Sequence, residues 1–344
     1  MTDTRSAAPA APPLAEVLAA AHVVSIPTRT RFRGIAVREA MIFDAPLGAS
    51  EFSPFLEYDD AEAAPWLAAA LDFGWAPQPE ALRERIEVNA TVPAVGAHEV
   101  PGVLARFPGC TTAKVKVAER GQSLADDVAR VRAVREALGP AGLVRVDANG
   151  GWSADDAVDA LAALADFDLD YAEQPSASVD ELVEVRSRLR ASGVSVRIAA
   201  DESVRKAEDP LAVARAGAAD LLIVKAQPLG GVRRARSLVI EAGLPVVVSS
   251  ALDTSAGIAM GLHLAAALPE GMLAGACGLG TVALLDGDVT ASPLVPLDGA
   301  IEVRRPDLDP ALLERYRAAP DREEWWRQRA SRAYALLRSR RDQR

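Results

Sequence analysis

The chain has 344 residues, half of them hydrophobic, so it can form one large domain with a smaller companion. Its formal net charge of −10 argues against a nucleic-acid partner. The two cysteines and three histidines form no disulfide framework or zinc motif, and no stretch reaches the roughly 20 apolar residues of a membrane span. These features predict a cytoplasmic protein without a membrane partner.

The first 85 residues predict a small α+β capping domain. Residues 1–13 are rich in alanine and proline and predict a flexible tail, so that the domain itself covers residues 14–85. Its predicted elements are strands at 23–26 and 35–43 and helices at 60–71 and 80–85.

From residue 86 onward, short apolar runs alternate with amphipathic stretches. This alternation predicts βα units and a parallel sheet, and eight such runs predict a closed barrel over residues 86–290. A doubly wound sheet is the runner-up, but the sequence lacks the glycine-rich phosphate loop that this fold needs after its first strand. Predicted strands lie at 86–93, 113–117, 143–147, 169–173, 196–201, 221–225, 245–250 and, more weakly, 276–281; predicted helices include 124–138, 154–165 and 179–191.

The C-terminal segment, residues 291–344, predicts a helix that packs back on the capping domain. Its aromatic and apolar side chains recur with helical periodicity. They are Trp325, Trp326, Tyr334 and Leu337.

Five charged residues end consecutive predicted strands of the barrel: Lys116, Asp147, Glu173, Asp201 and Lys225. In this architecture the carboxyl ends of the strands open onto a single mouth, where catalytic groups gather. A single charge there is typical of an exposed loop. Five in succession, each after an apolar run, predict an active site.

The three acids occupy neighbouring strands and can converge on one point. Carboxylates that close together repel one another unless a cation lies between them. Hard oxygen ligands suit Mg²⁺, with Mn²⁺ as a possible substitute. Asp147, Glu173 and Asp201 therefore predict a metal site.

Lysine is scarce here, with only four among the 38 basic residues, and unlike arginine it can lose its proton and act as a base. Lys114 and Lys116 are two positions apart on one strand, so their side chains point to the same side. Their mutual repulsion, with a cation nearby, predicts a pKa lowered toward the range of a general base. Lys116 and Lys225 should face each other across the barrel, one removing a proton beside a substrate carboxylate and the other stabilising the enediolate or serving as an acid. The capping domain can supply a lid.

The motifs around these residues resemble the muconate-lactonising subgroup of the enolase superfamily. They are Lys-Val-Lys at 114–116, Asp-Ala-Asn at 147–149, Glu-Gln-Pro at 173–175, Asp-Glu-Ser at 201–203 and Val-Lys-Ala-Gln-Pro-Leu-Gly-Gly at 224–231. The resemblance implies an α+β capping domain on a (β/α)7β modified TIM barrel, with Mg²⁺ on the three acids. It also implies Lys116 and Lys225 as acid/base residues, supported by Asn149 and Glu202.

Further segments resemble the o-succinylbenzoate synthase family of actinobacteria. They are Arg-Phe-Arg-Gly-Ile-Ala-Val-Arg-Glu at 31–39, Glu-Phe-Ser-Pro-Phe at 51–55, Glu-Tyr-Asp-Asp at 57–60, Ser-Ser-Ala-Leu-Asp-Thr at 249–254 and Ala-Cys-Gly-Leu-Gly-Thr at 276–281. The resemblance implies dehydration of a small-molecule carboxylate, 2-succinyl-6-hydroxy-2,4-cyclohexadiene-1-carboxylate, to 2-succinylbenzoate for menaquinone synthesis. Lys116 would remove the proton and then protonate the departing hydroxide, while Lys225 would be the counter-cation. Substrate-binding residues would be Arg29 and Gly34 in a closing loop, and Ser249 and Ser250 near it.

Two other functions are compatible with parts of the pattern. Two facing lysines also suit an N-succinylamino acid racemase or a dipeptide epimerase, and Asp286-Gly287-Asp288 could imitate the Asp-x-Asp motif that holds an ammonium group in such epimerases, although a turn is more typical of this sequence. A non-catalytic binding protein would be expected to lose a lysine or an acid from the mouth, and the sequence keeps them all.

Overall fold

A computed structural model describes residues 12–32, 34–205 and 211–342. Except for its last two positions, the tail predicted at residues 1–13 lies outside the described residues. The structure has two parts, a small antiparallel domain and a parallel barrel.

The N-terminal part is a three-stranded antiparallel sheet with a helix on it. Strands β1, β2 and β3 pair in sequence order, and the predicted strand 23–26 lies within the much longer β1. Asp59 begins the second helix because its carboxylate accepts a hydrogen bond from the Glu62 amide at 2.8 Å. The elements are α1 (Leu14–Ala19), β1 (Ala21–Phe32), β2 (Ile35–Phe43), β3 (Ser50–Phe52) and α2 (Asp60–Trp75).

The prediction of a helix at residues 80–85 is wrong. This segment is irregular and then enters β4 (Arg85–Glu87), which pairs with β12 (Ala300–Glu302). Its hydrogen bonds go to the end of a barrel helix instead: the Leu82 amide donates to the Ala266 carbonyl at 2.8 Å, and Arg83 Nη1 donates to the Leu268 carbonyl at 2.6 Å. Tertiary contacts thus replace the local helical bonds.

Seven parallel strands form the barrel, each hydrogen-bonded to its neighbours in chain order. Residues 272–278 take the eighth position through single parallel bridges, Leu273 with Val246 on one side and Cys277 with Val88 on the other. This segment joins the two edges of the sheet, so the predicted barrel with an α+β cap is confirmed. The strands are β5 (Ala90–Val92), β6 (Thr112–Lys116), β7 (Leu143–Asp147), β8 (Leu169–Glu173), β9 (Arg197–Ala200), β10 (Leu221–Val224) and β11 (Val246–Val248).

Helices follow the strands, as the amphipathic stretches predict. Two of them begin with a reciprocal capping box, Ser123 with Asp126 and Ser178 with Glu181, which satisfies amide groups of the first turn. The helices are α3 (Val100–Leu104), α4 (Leu124–Leu138), α5 (Ala154–Leu164), α6 (Val179–Ala191), α7 (Glu202–Arg205), α8 (Ala212–Arg215), α9 (Val232–Ala242) and α10 (Ser255–Ala267).

The C-terminal helix packs on the N-terminal sheet and helix. After α11 (Pro310–Arg315), helix α12 (Pro320–Asp342) buries Trp326 against Phe52 of β3, with the ring centroids 5.7 Å apart. The indole Nε1 of Trp326 donates to the Glu39 carboxylate at 2.8 Å. This helix therefore holds the sheet from the side that faces away from the barrel.

Cys110 and Cys277 are both free thiols. Among the described residues, no helix combines the length and the apolar character needed to cross a membrane.

Candidate active site

The charged residues predicted from the strand ends meet at the mouth of the barrel. Lys116, Asp147 and Glu173 are aligned in register on β6, β7 and β8, so their side chains are neighbours. Asp201 and Lys225 directly follow β9 and β10, the next two strands. All five side chains are buried. The parallel register of the sheet therefore brings these five charges to one place.

Lys114 lies between two of the acids. Its Nζ is 3.1 Å from Asp147 Oδ2 and 2.8 Å from Glu173 Oε2. Burial alone would lower the pKa of Lys114, but the charges of Asp147 and Glu173 outweigh it and raise this pKa well above its ordinary value. The lowered pKa predicted for the lysine pair beside a cation is therefore not what Lys114 shows here, because the nearby carboxylates dominate over the second ammonium group.

Lys116 and Lys225 reach the same cavity from different strands. Lys116 Nζ is 2.5 Å from Asp147 Oδ2 and donates to Asn149 Oδ1 at 2.8 Å. Lys225 Nζ forms an ion pair with Asp201. With β6 and β10 separated by three strands of the sheet, the two amines approach the cavity from different walls.

This cavity is small, with a volume of about 30 Å³. It is lined by the lysines predicted to be catalytic, by both predicted serines and by two aromatic side chains of the capping domain, Phe32 and Phe55. Lys116 Nζ lies 5.5 Å from the centroid of the Phe32 ring. The lining residues are Phe32, Phe55, Thr91, Lys114, Lys116, Asp147, Asn149, Asp201, Lys225, Ser249, Ser250, Ala251, Gly278 and Thr281.

Four predicted site residues do not line this cavity. Glu173 lies behind Lys114, and Glu202 accepts a hydrogen bond from Asn149 Nδ2 at 3.3 Å. Arg29 instead binds the Leu285 carbonyl at 2.9 Å and Asp286 at 3.0 Å, and Gly34 is exposed at the turn between β1 and β2. The roles of Arg29 and Gly34 in substrate binding stay predictions.

The three acids fit a hard divalent cation by their chemistry. Asp147, Glu173 and Asp201 offer only oxygen ligands, and each is about 1% exposed. Burial, followed by the charge of Asp147, raises the pKa of Glu173 to about 8, which is the crowding that a shared cation relieves. Among the described residues, no three acidic, histidine or cysteine side chains are grouped closely enough to hold a metal ion. Lysine amines contact Asp147, Glu173 and Asp201 instead.

The Asp286-Gly287-Asp288 motif lies apart from the cavity. Asp288 accepts hydrogen bonds from the Ser255 amide at 3.0 Å and the Val289 amide at 2.8 Å, so it holds the start of α10. Asp286 is exposed and pairs with Arg29. A β-carbon on Gly287 would come within 2.2 Å of the Tyr316 ring, which explains the glycine. Both aspartates have structural contacts here.

Sequence reasoning missed the aromatic wall of the cavity. Phe32 and Phe55 come from the end of β1 and the loop after β3, and only the docking of the two domains brings them to the lysines. Both residues lie in segments that resemble the o-succinylbenzoate synthase family, at 31–39 and 51–55, but their spacing in the sequence does not assign them to the site. Thr91, Ala251 and Thr281 also line the cavity, and no spacing in the sequence assigns them to it.

Comparisons with known families agree with this architecture. Residues 23–74 match the family described as enolase N-terminal domain-like, and residues 103–308 match the family described as enolase C-terminal domain-like. The chain therefore belongs to the enolase superfamily.

Curated relatives with more than 50% identity share one name. An o-succinylbenzoate synthase of Mycolicibacterium smegmatis is 56% identical over 95% of this chain and 98% of its own length. One of Mycobacterium tuberculosis is 54% identical, over 96% of this chain and 98% of its own.

Solved structures support the fold. The N-succinyl Arg/Lys racemase from Bacillus cereus has a TM-score of 0.71 at 18% identity, covering 87% of this chain and 97% of its own. The muconate lactonizing enzyme from Pseudomonas putida has a TM-score of 0.69 at 19% identity, and the match covers 87% of this chain and 98% of that enzyme's chain. At these identities the two structures define the architecture alone.

Proposed function

We propose that the chain is an o-succinylbenzoate synthase, a dehydratase that converts 2-succinyl-6-hydroxy-2,4-cyclohexadiene-1-carboxylate to 2-succinylbenzoate. The observation that carries the proposal is the position of Lys116 and Lys225 on different walls of one cavity that also holds Asp147 and Asp201. The name shared by relatives with 54–56% identity over nearly the whole chain supports the choice of substrate. Menaquinone synthesis in the cytoplasm is the corresponding pathway and setting.

Lys116 is proposed as the residue that moves the proton. Its amine, when neutral, takes the proton from the ring carbon that bears the carboxylate, and the electron pair of that C–H bond passes into the enediolate. The same amine then returns the proton to the hydroxyl group leaving the adjacent carbon. One water molecule is lost and the ring becomes aromatic. Both the proton and the hydroxyl group come from the substrate, so the reaction consumes no other reactant. Asn149, which accepts from Lys116 at 2.8 Å, aims the amine.

Lys225 is proposed as the counter-cation. It lies on the wall opposite Lys116 and is held by Asp201, so its positive charge is fixed before the substrate binds. A preorganised charge next to developing negative charge lowers the barrier most when water is excluded. Phe32 and Phe55 line the cavity on the side of the capping domain and would exclude water there.

Asp147, Glu173 and Asp201 would hold a divalent cation, proposed to be Mg²⁺. When bound, the ion supplies stabilisation of the charge that collects on the substrate carboxylate oxygens. Lys114 contacts Asp147 and Glu173 and so keeps both acids oriented. Glu202 supports Asn149 from the side.

The substrate tail is proposed to extend toward Ser249 and Ser250. Ser250 Oγ donates to the Gly278 carbonyl at 2.9 Å and lies 2.8 Å from Thr281 Oγ1, so the side chain is fixed at the cavity wall. Arg29 and Gly34 belong to the segment proposed to close over the tail.

Racemisation of N-succinylamino acids is the second candidate, because amines on two walls can also add and remove a proton on opposite faces of one carbon. The placement of Asp286 and Asp288 outside the cavity removes the feature that favoured a dipeptide epimerase.

A direct comparison of the two reactions tests the proposal. Purified protein with Mg²⁺ is assayed for dehydration of the cyclohexadiene carboxylate and, by NMR in D₂O, for exchange of the α-proton of N-succinylamino acids. We expect kcat/KM for dehydration to exceed that for exchange. Exchange without dehydration would establish the racemase instead.

A further inference from the structure

A buried polar network joins the capping domain to the barrel beside the cavity. Arg38 on β2 and Glu51 on β3 come from the cap, and Asp253 comes from the loop between β11 and α10. Their side chains are at most 5% exposed. Charges buried this deeply are costly unless they are paired and hydrogen-bonded, so this network is a built feature of the domain boundary.

Arg38 binds both domains with one guanidinium group. Its Nε donates to the Leu252 carbonyl of the barrel at 3.0 Å, while Nη2 donates to Ser53 Oγ of the cap at 2.9 Å. The same Nη2 is 3.7 Å from Asp253 Oδ1. The planar fork of arginine allows these contacts to be made together, which a lysine amine could not reproduce.

Glu51 makes the second connection, to the first turn of α10. Its Oε2 accepts from the Thr254 amide at 3.0 Å, from Thr254 Oγ1 at 2.5 Å and from the Gly257 amide at 3.1 Å. Its Oε1 accepts from Ser53 Oγ at 2.5 Å. A β-carbon on Gly257 would lie 2.9 Å from the Glu51 carboxyl carbon, so the close approach of the two domains requires glycine there.

The segments that this network joins are walls of the cavity. Phe55 lies two residues after Ser53, and the Arg38 guanidinium is 4.8 Å from the centroid of its ring. Ala251 directly precedes Leu252, whose backbone has a φ of +63°. A non-glycine residue in this strained conformation persists only where its surroundings hold it, and here Arg38 binds its carbonyl.

We propose that Arg38 and Glu51 are positioning residues that fix the Phe55 wall against the Ala251 wall and thereby set the affinity for substrate. Neither residue lines the cavity, so they act through the walls and not on the reacting atoms. The inference rests on the proposed function, since its kinetic test uses the dehydration reaction.

The test compares Arg38→Gln and Arg38→Lys with Glu39→Gln. Glu39 is the next residue of β2, but it faces the other way and binds Arg322 Nη2 at 2.7 Å and Trp326, so its variant also removes one partner of an ion pair without touching the cavity. We expect Arg38→Gln to raise KM about tenfold or more with kcat within about threefold, the signature of lost uniform binding. Arg38→Lys should raise KM less, and Glu39→Gln should leave KM unchanged.

Hydrogen exchange of the amides of residues 251–257 supplies a readout that does not depend on activity. Exchange should be faster in Arg38→Gln than in wild type and unchanged in Glu39→Gln. Arg38→Lys, which keeps the charge, carries the test if Arg38→Gln fails to fold. If wild type is active, equal KM values in the Arg38→Lys and Glu39→Gln variants would overturn the inference. Unaltered hydrogen exchange of the amides of residues 251–257 in the Arg38 variants would overturn it as well. An inactive wild type with faster exchange in the Arg38 variants would overturn only the proposed function.

Discussion

Lys116 and Lys225 differ in their contacts, although both are amines at the mouth of the barrel. Lys116 contacts an acid, an amide oxygen and the face of Phe32, whereas Lys225 pairs with Asp201. A base must exchange its proton, while a counter-cation must only keep its charge. Substitution by arginine separates the two roles, because a guanidinium group stays protonated.

The first prediction concerns these two lysines. Lys116→Ala and Lys116→Arg should both lower kcat by roughly 10³-fold or more, since neither side chain can act as a base. Lys225→Ala should be equally damaging, but Lys225→Arg should retain measurable turnover because its charge remains. Steady-state kinetics with circular dichroism as a check of folding measure this. Substantial activity in Lys116→Arg would exclude the role as a base.

At the level of helices and strands, most of the elements could be predicted from hydrophobic periodicity and from their order along the chain. The register of β6, β7 and β8 follows from apolar runs that each end in a charge, so Lys116, Asp147 and Glu173 could be placed together from sequence. The structure of residues 80–85 could not be predicted, because the Leu82 amide and the Arg83 side chain donate to the carbonyls of Ala266 and Leu268, far along the chain.

The buried network around Arg38 could not be predicted either. Arg38, Glu51 and Asp253 all lie in segments that resemble a family, yet a charged residue in a sequence gives no sign that it will be buried between two domains. Phe32 and Phe55 escaped for the same reason, since the walls of the cavity form only when the domains dock. The domain bounds at residues 85 and 290 stay predictions.

The second prediction concerns helix α12. Trp326→Ala should lower the free energy of unfolding by about 3–5 kcal/mol, because the indole is fully buried against Phe52 and its loss leaves a cavity. Trp325→Ala is the matched control and should cost less, since that ring is only partly buried. Urea unfolding measures both. Equal losses would show that α12 does not depend on the Trp326 contact.

For the molecule as a whole, the boundary between cap and barrel combines burial with charge. Burial, and then the charge of Asp253, raises the pKa of Glu51 from 4.5 to about 7. The folded state therefore holds a proton on Glu51 in a range where the unfolded chain has lost it. By linkage, this group makes stability fall as the pH rises from the unfolded pKa to the folded one.

The third prediction follows from that sign. The free energy of unfolding should decline less between about pH 4.5 and about pH 7 in Glu51→Gln than in wild type, because the variant lacks this titration. Glu39→Gln should keep the wild-type slope. Denaturant unfolding at a series of pH values is the measurement. Parallel slopes in Glu51→Gln and wild type would show that the Glu51 pKa is not raised.

The fourth prediction concerns the cation. Because an ion that binds only the folded state stabilises it, Mg²⁺ added to EDTA-treated protein should raise Tm, equivalent to about 2.7 kcal/mol at 100 times the Kd. Asp147→Ala should abolish most of the shift. Asp155→Ala, which removes an exposed acid paired with Arg188, should keep it. Full dehydratase activity after EDTA treatment would contradict the metal proposal.

The most direct test of the whole account is the conversion of 2-succinyl-6-hydroxy-2,4-cyclohexadiene-1-carboxylate by wild type and Lys116→Ala side by side, with Mg²⁺ present. We expect wild type to form 2-succinylbenzoate with kcat in the ordinary range of roughly 1–10³ s⁻¹ and the variant to form almost none. Equal product from the two proteins, or none from either, would contradict it.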